Sequence, residues 1–298
     1  MSISQKPKVT IGTKLPAEPK SIKALALDLD GTLLAPGTVL TERTIRTIKA
    51  CRERGLRIII ATGRAIAGAE RFRAALGAEG PMIYFNGAVL AQMPEGRILS
   101  STLLDREAAA FCVELARETG TYCHVFFPGS EDATGITLMA ERPGPERDMY
   151  FKHTGILPEL GDLREALARP SLKGCVKCMF LAEPEVQAML RPKLDERLGK
   201  SVYITQSLRT FLEIMDAKVS KGQGLKLAME QLSLRKEEVF AFGDDENDLP
   251  MLAAAGFSAA PSNAKDSIKA AADIIIGSNA EDGVAVFLEK FFQLTIDN

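Results

Sequence analysis

The feature that most constrains the fold of this chain is a repeated alternation of short apolar segments with helix-like segments of about 10–15 residues. Segments such as residues 56–61 are so rich in apolar and β-branched residues that neither face of a strand formed there suits water. Strands of this kind that alternate with helices are typical of a parallel sheet covered by helices on both faces. The sequence therefore predicts an α/β fold with a Rossmann-like, doubly wound parallel sheet.

The alternation occupies two separate stretches of the chain, residues 22–87 and 211–298. Residues 88–210, which lie between them, combine helix-like segments with strand-like runs and with loops that contain glycine and proline. This middle stretch is long enough to bury a core of its own, which predicts an α+β domain inserted into a discontinuous α/β core domain. Residues 1–21 show little apolar periodicity, which predicts a flexible N-terminal tail.

Charge and cysteine content disfavour several classes of protein. The 37 Lys and Arg residues nearly balance the 39 Asp and Glu residues, whereas nucleic-acid-binding proteins usually carry a strongly basic surface. No apolar run approaches the roughly 20 residues of a membrane span. The five cysteines are odd in number and scattered, which fits a reducing compartment and predicts a cytoplasmic protein. We therefore expect no nucleic acid and no membrane among its partners.

Polar residues are concentrated at four points where a predicted strand ends or a predicted helix begins. Asp28 and Asp30 follow the first apolar run, and Thr62 follows the second. Lys221 stands near a helix start, and an acidic run over residues 244–248 follows a later strand. In an open parallel sheet, ligands bind outside the carboxyl ends of the strands. We therefore expect these four clusters to meet at one rim of the sheet.

The composition of this rim indicates a particular chemistry. Several carboxylates held close together repel one another unless they are protonated, dispersed or neutralised by a cation. Aspartate oxygens without nearby histidine or cysteine favour a hard ion such as Mg2+. Lys221, Thr62 and flanking backbone N–H groups would bind an anion beside that ion. A carboxylate nucleophile next to Mg2+ and a phosphate site predicts phosphoryl transfer through an aspartyl phosphate.

The same residues resemble the signature motifs of a known family. Asp-Leu-Asp-Gly-Thr-Leu at residues 28–33, Thr62, Lys221 and Gly-Asp-Asp-Glu-Asn-Asp at residues 243–248 are similar, in order, to the four motifs of the haloacid dehalogenase (HAD) superfamily. The resemblance extends over the whole chain from about Ile22, and the long insert is similar to a C2-type cap. Within that superfamily, the sequences at residues 61–64, 86–88 and 243–248 are most similar to those of the Cof-type, or class IIB, sugar-phosphate phosphatases.

The resemblance implies a role for each motif residue. Asp28 would attack phosphorus, and Asp30 would protonate the leaving alcohol and then activate water. Mg2+ would be held by the Asp28 carboxylate, the Asp30 backbone carbonyl and Asp244, with Asp248 near the ion or its waters. The implied contacts with the phosphoryl oxygens come from Thr62, Lys221, Asn247 and the backbone around Leu29 and Gly63.

The function that the resemblance implies is a Mg2+-dependent phosphatase of small phosphorylated metabolites, such as sugar phosphates. A phosphomannomutase-like phosphotransferase is an alternative, as is a sugar-phosphate-binding regulator without turnover. The mutase would need several cationic side chains of the insert at the rim, and the sequence does not place its arginines there. Arg64 would form a salt bridge or touch substrate, and Asn86 would form a turn or touch a ligand. The oligomeric state is not predicted.

Overall fold

The computed structural model describes residues 21–128, 136–170 and 173–296, so the predicted tail falls, apart from Ser21, outside the described residues. The strands are β1 (Ala24–Leu27), β2 (Arg57–Ile60), β3 (Gly80–Tyr84), β4 (Val89–Met93), β5 (Arg97–Ser101), β6 (Leu104–Asp105), β7 (Tyr122–Pro128), β8 (Ile136–Ala140), β9 (Glu159–Leu160), β10 (Gly174–Cys175), β11 (Lys177–Leu181), β12 (Val202–Leu208), β13 (Phe211–Asp216), β14 (Val239–Phe242), β15 (Phe257–Pro261) and β16 (Ile274–Ile276). The helices are α1 (Glu42–Glu53), α2 (Ile66–Leu76), α3 (Arg106–Thr119), α4 (Pro145–Thr154), α5 (Leu163–Ala168), α6 (Pro184–Leu198), α7 (Lys221–Leu232), α8 (Leu249–Ala254), α9 (Asp266–Ala271) and α10 (Gly283–Phe291). None of these described helices combines the length and apolar character that a membrane crossing requires.

A parallel sheet forms the centre of the molecule. Its described strands follow the order β16-β15-β14-β1-β2, and every neighbouring pair is parallel. Both faces of β1 are buried, because alternate side chains enter two hydrophobic clusters. Leu25 and Leu27 pack in the cluster that contains residues of α1 and α10, whereas Ala24 and Ala26 pack in the cluster that contains residues of α7 and α8. The predicted Rossmann-like α/β core is confirmed.

A second sheet forms most of the inserted stretch. Its described strands follow the order β12-β13-β11-β7-β8-β9, and all neighbours except β8 and β9 are antiparallel. Helices α3, α5 and α6 cover one face through a separate cluster that includes Cys112, Leu163 and Leu190. The other face carries Phe126 and Met179, which belong to the larger cluster of the α/β core. We call these six strands the cap sheet, and the inserted unit that contains them the cap.

One predicted strand belongs to a different sheet from the one expected. The run at residues 211–215 was expected to resume the parallel sheet, but β13 pairs with β11 and β12 of the cap sheet. Ile214, for example, lies opposite Cys178 on one side and Ile204 on the other. The expectation was wrong because β13 is buried on both faces. An apolar run of that kind does not distinguish a parallel strand from an inner antiparallel one.

The pairing also bears on the division of the chain into domains. At the other boundary of the insert, β4 and β5 form a sheet with β3 and not with the cap sheet. Since paired strands belong to one folding unit, we propose that the cap comprises residues 102–216 and that the core comprises residues 22–101 and 217–296.

Candidate active site

The first acidic residues follow β1 at the carboxyl edge of the parallel sheet. Asp28 continues the pairing of that strand, since its N–H donates to the carbonyl of Phe242 at 3.0 Å. The chain then turns at Gly31, whose φ is +82°. A Cβ at this position would lie 2.2 Å from a carboxylate oxygen of Asp244. Glycine at position 31 therefore allows the loop after β1 to approach the acidic loop after β14.

The acidic loop after β14 brings Asp244 and Asp248 to Asp28. Carboxylate oxygens of these three residues lie within 4.8 Å of one another. The hydroxyl of Thr32 donates to Asp244 at 2.6 Å. The carboxylate of Asp248 accepts the backbone N–H groups of Asp244 and Asp245 at 2.9 and 3.1 Å. The structure thus groups three aspartates from two segments that are far apart in the sequence.

Lys221 lies between two of these carboxylates. Ser220 caps helix α7 by accepting the N–H of Gln223 at 3.0 Å, which makes Lys221 the first helical residue. Its side chain is 1% exposed, and Nζ donates to Asp28 Oδ1 and to Asp248 Oδ1 at 2.6 Å each. The helix cap therefore fixes the direction from which the ammonium group enters the site.

The charges of this cluster do not balance. Burial raises the pKa of Asp28 well above its usual value; attraction to Lys221 opposes this rise, and repulsion by Asp248 adds to it. Burial and repulsion by Asp248 raise the pKa of Asp244 to about 7. Burial lowers the pKa of Lys221, but attraction to Asp248 and Asp28 outweighs that effect and raises it. Because the grouped donors are all carboxylate oxygens, the site fits a hard divalent cation.

Asp30 has different surroundings from Asp28. Its carboxylate accepts two hydrogen bonds from the guanidinium group of Arg64, at 2.7 and 2.6 Å. The Asp30 side chain is 36% exposed, whereas that of Arg64 is 8% exposed. Of the two contacts expected for Arg64, a salt bridge or a contact with substrate, the structure shows the salt bridge, which orients Asp30. Among the described residues, the carboxylates close enough together to share a metal ion are those of Asp28, Asp244 and Asp248, and not that of Asp30. Asp30 would therefore contact a metal through its backbone.

The residues predicted to contact phosphate divide into some that line a cavity and some that are buried. Gly63 and Asn247 line a cavity above the aspartates. Leu29 and Thr62 are fully buried and are not among the described residues that line this cavity. The hydroxyl of Thr62 accepts the N–H of Arg64 at 3.1 Å, so it shapes the turn that follows β2.

Three further residues lie at the site: Lys177 and Glu213, which were not predicted, and Asn86, whose role was left open. Asn86 Oδ1 accepts from the side-chain amide of Asn247 at 2.9 Å. Asn86 Nδ2 donates to Glu213 at 2.9 Å, and Glu213 pairs with Lys177 Nζ at 3.0 Å. The one sequence signal for Lys177 and Glu213 is a charged residue inside an apolar strand, which is rare unless the charge is paired.

Lys177 and Glu213 border a cavity of about 380 Å3 between the parallel sheet and the cap, a volume within the range of small-molecule sites. Asp28, Asp30 and Asp244 lie on the core side. The opposite side is mostly apolar and aromatic, and its lining includes Tyr150, His153, Thr154, Ile156, Met179, Leu208 and Phe211. The cavity therefore has several carboxylates on its core side, and on its cap side mostly apolar side chains together with the Lys177–Glu213 ion pair.

The sequence pattern of haloacid dehalogenase-like hydrolases matches residues 25–288. The chain belongs to this family. The pyridoxal phosphate phosphatase of Escherichia coli (strain K12) is 30% identical over 273 residues, which cover 89% of this chain and 97% of that one.

Solved structures of HAD-like hydrolases have the same fold. One from Bacteroides thetaiotaomicron aligns with a TM-score of 0.80 at 26% identity and covers 91% of this chain and 100% of its own. A sugar phosphatase of HAD subclass IIB aligns with a TM-score of 0.75 at 22% identity and likewise covers 91% and 100%. The predicted resemblance to Cof-type HAD phosphatases is confirmed, since the chain is a HAD-like hydrolase and curated relatives that match most of it are named phosphatases.

Proposed function

We propose that this HAD-like phosphatase hydrolyses small phosphorylated metabolites through an aspartyl phosphate on Asp28, with Mg2+ in the aspartate cluster. One observation carries the proposal: the Asp28 carboxylate borders a cavity of small-ligand size while Lys221 binds one of its oxygens at 2.6 Å. A carboxylate held in this way has lost the freedom to turn away from a bound phosphoryl group. It is therefore suited to nucleophilic attack on phosphorus.

The metal would be held by the carboxylates of Asp28 and Asp244 and the backbone carbonyl of Asp30, with Asp248 near the ion or its waters. The grouping of three carboxylates and the raised pKa values of Asp28 and Asp244 support this assignment. When bound, Mg2+ supplies positive charge beside the phosphoryl oxygens. It would also relieve the repulsion that otherwise favours protonated aspartates.

The two chemical steps use Asp28 and Asp30 in different ways. In the first, an Asp28 oxygen forms a bond to phosphorus, the bond from phosphorus to the leaving oxygen breaks, and that oxygen takes a proton from Asp30. In the second, water gives a proton to Asp30 and attacks phosphorus, which releases phosphate and restores Asp28. Both Asp30 oxygens accept hydrogen bonds from Arg64 in this structure, so Arg64 would have to release at least one of them before Asp30 carries a proton.

The phosphoryl group would bind between the loops that follow β2 and β14. We assign direct contacts to Gly63 and Asn247, since both line the cavity. We assign a contact through the backbone to the segment around Leu29, whose side chain is buried. Thr62 would hold the shape of the loop after β2, because its N–H donates to Ile83 and its hydroxyl accepts the N–H of Arg64. Lys221 would supply positive charge from beneath, through its contact with Asp28.

The position of the cap arginines favours hydrolysis over a mutase reaction. A mutase would need cationic side chains of the insert to hold a doubly phosphorylated intermediate, and the arginines of the insert that could serve include Arg142, Arg147, Arg164 and Arg169. None of them is among the described residues that line the cavity. Arg147 donates to the carbonyl of Pro158 at 2.8 and 2.6 Å, and Arg164 pairs with Glu114 on the exposed face of the cap. Lys177 is then the one cap cation among the described residues that line the cavity, and it is paired with Glu213, so water is the better acceptor of the phosphoryl group.

The substrate would be a phosphomonoester of a small heterocyclic or sugar alcohol. The aromatic and apolar side chains on the cap side of the cavity and the relative that is named a pyridoxal phosphate phosphatase support the heterocyclic alcohol of these two. We place the enzyme in the cytoplasm, since its five cysteines lie within the described ranges and are free and buried.

Release of inorganic phosphate from p-nitrophenyl phosphate in the presence of Mg2+ tests the proposal. Wild-type enzyme should turn over, and Asp28→Asn should abolish turnover while it retains the fold. A sugar phosphate that is isomerised instead of hydrolysed would favour the mutase, and binding of phosphate without turnover would favour the regulator. Phosphate release from a panel of phosphorylated metabolites would then identify the leaving group.

A further inference from the structure

Two charged residues lie inside the cap sheet, on the face that looks toward the cavity. Lys177 is on β11 and Glu213 is on β13, and their side chains are 2% and 1% exposed. Glu213 lies opposite Met179 in the pairing of β13 with β11. Lys177 precedes Met179 by two residues, and residues two apart on a strand point to the same face, so Lys177 and Glu213 share one face of the sheet. Lys177 Nζ is 3.0 Å from Glu213 Oε1, and both residues line the cavity.

Stability alone is a weak reason for such a pair. Two charges that leave water lose much of their hydration, and apolar residues of similar volume are often as stabilising or more so. The ammonium group also lies 4.9 Å from the ring centre of Phe126 and 5.4 Å from that of Phe85, and this offsets part of the cost. The other contacts of the pair therefore indicate what it does.

Glu213 determines the orientation of two amide side chains. Its second oxygen accepts from Asn86 Nδ2 at 2.9 Å, and Asn86 Oδ1 accepts from Asn247 Nδ2 at 2.9 Å. Because a carboxylate only accepts hydrogen bonds, the NH2 group of Asn86 must face Glu213, and its oxygen must face Asn247. The amide of Asn247 is then fixed in turn, with its NH2 group toward Asn86.

Lys177 reaches the other phosphate-binding loop. Its Nζ lies 3.4 Å from the carbonyl oxygen of Gly63, so the contact is long. Asn86 packs on the same glycine, since a Cβ at position 63 would meet Asn86 Oδ1 at 3.0 Å. The ion pair therefore contacts the loop after β2 directly and the loop after β14 through Asn86.

We propose that Lys177 and Glu213 are positioning residues through which the cap sheet fixes the two phosphate-binding loops of the core. Glu213 acts through Asn86 on Asn247, and Lys177 acts on the Gly63 peptide. The phosphate site is consequently complete only when the cap sheet lies against the core as it does here. This inference rests on the proposed function, because it assumes that phosphate binds at Gly63 and Asn247.

Three variants separate positioning from ordinary packing. Glu213→Gln keeps the shape of the side chain but can present either an oxygen or an NH2 group to Asn86. The double variant Lys177→Met with Glu213→Leu replaces the ion pair by apolar side chains, so neither charge is left buried alone, but it also removes the acceptor of Asn86 Nδ2. Its stability is therefore measured beside its affinity. Glu141→Gln is the matched control, since Glu141 pairs with Arg117 at 2.5 Å elsewhere on the cap.

The experiment measures orthovanadate binding by calorimetry in the presence of Mg2+, urea unfolding, and kcat and KM for p-nitrophenyl phosphate. For Glu213→Gln and for the double variant we expect orthovanadate affinity to fall about 10-fold, the scale of one lost oriented hydrogen bond to a charged group. KM should rise more than kcat falls, because phosphate binding is what the loops serve. The control should match wild type in both readouts.

A double variant with wild-type stability and wild-type orthovanadate affinity would overturn the positioning role and leave an ordinary buried pair. Wild-type enzyme that binds orthovanadate without hydrolysing p-nitrophenyl phosphate would overturn the proposed function but not this inference, since the variants would still be compared by binding. Hydrolysis by wild type with unchanged affinity in Glu213→Gln would overturn this inference alone.

Discussion

Asp28 and Asp30 are separated by one residue, yet their carboxylates face different surroundings. Asp28 is buried against Lys221, and burial raises its pKa. Asp30 is more exposed and is held by both arms of the Arg64 guanidinium. Two carboxylates in such different environments can take different parts in one reaction. The proposed roles of Asp28 as nucleophile and Asp30 as proton carrier are consistent with this contrast.

Asp30→Asn should slow turnover of p-nitrophenyl phosphate by about 10²–10⁴-fold, the usual contribution of general acid–base catalysis. Affinity for Mg2+ should change little, because the Asp30 side chain is not in the described carboxylate group. Steady-state kinetics and calorimetric titration with Mg2+ measure the two effects separately. A rate near that of wild type would remove Asp30 from the mechanism.

Asp244 predicts a pH dependence of stability in the metal-free protein. Its pKa is about 7 when folded, against an ordinary value of 3.8, so folding favours its protonated form. That contribution is fully present below about pH 4 and is lost as pH rises through 7. We expect the urea midpoint of metal-free wild type to fall relative to that of Asp244→Asn between pH 5 and 8.

Mg2+ should reverse this trend, because it binds the ionised carboxylates and stabilises the folded protein more at pH 8 than at pH 5. Unfolding curves recorded with a chelator and with Mg2+ provide the comparison. A difference between wild type and Asp244→Asn that does not change with pH would contradict the raised pKa.

At the scale of elements, apolar runs and their polar ends predicted the central sheet and the segments that meet at its edge. The run after β1 and the run after β14 could be brought together from sequence because parallel strands share one carboxyl edge. The pairing of β13 could not be predicted, because an apolar run indicates a buried strand but not which strands pair with it. Lys177 and Glu213 were missed for the same reason, because each is explained only by a partner on another strand.

Helix α7 gives a prediction at this scale. Ser220→Ala removes the side-chain cap and should lower the free energy of unfolding by about 1 kcal/mol. It should also lower kcat, because Lys221 is the next residue and its entry into the site depends on the first turn. Thr41→Ala is the matched control: Thr41 caps α1 by accepting the N–H of Thr44 at 3.1 Å, away from the cavity.

The control should lose comparable stability with unchanged kcat, as shown by urea unfolding and steady-state kinetics. Equal kcat values for the two variants would mean that the cap of α7 serves stability alone.

At the scale of the whole molecule, the cavity lies between the parallel sheet and the cap sheet, and residues from both units border it. Ligand binding should therefore change the dynamics of both units together. We expect orthovanadate with Mg2+ to slow amide hydrogen exchange in β11 and β13 of the cap as well as in the loop after β2. Exchange in α10, which is remote from the cavity lining, should not change. Protection confined to the core loops would show that the cap does not respond to phosphate.

The position of β1 between β2 and β14 has a consequence for how the protein is made. A ribosome releases Asp28 193 positions before Lys221, and the strand that brings Asp244 and Asp248 comes later still. Until then the nascent polypeptide carries the proposed nucleophile without the lysine and the carboxylates that surround it in the folded protein. We therefore expect reactivity toward phosphate esters only after β14 has paired with β1.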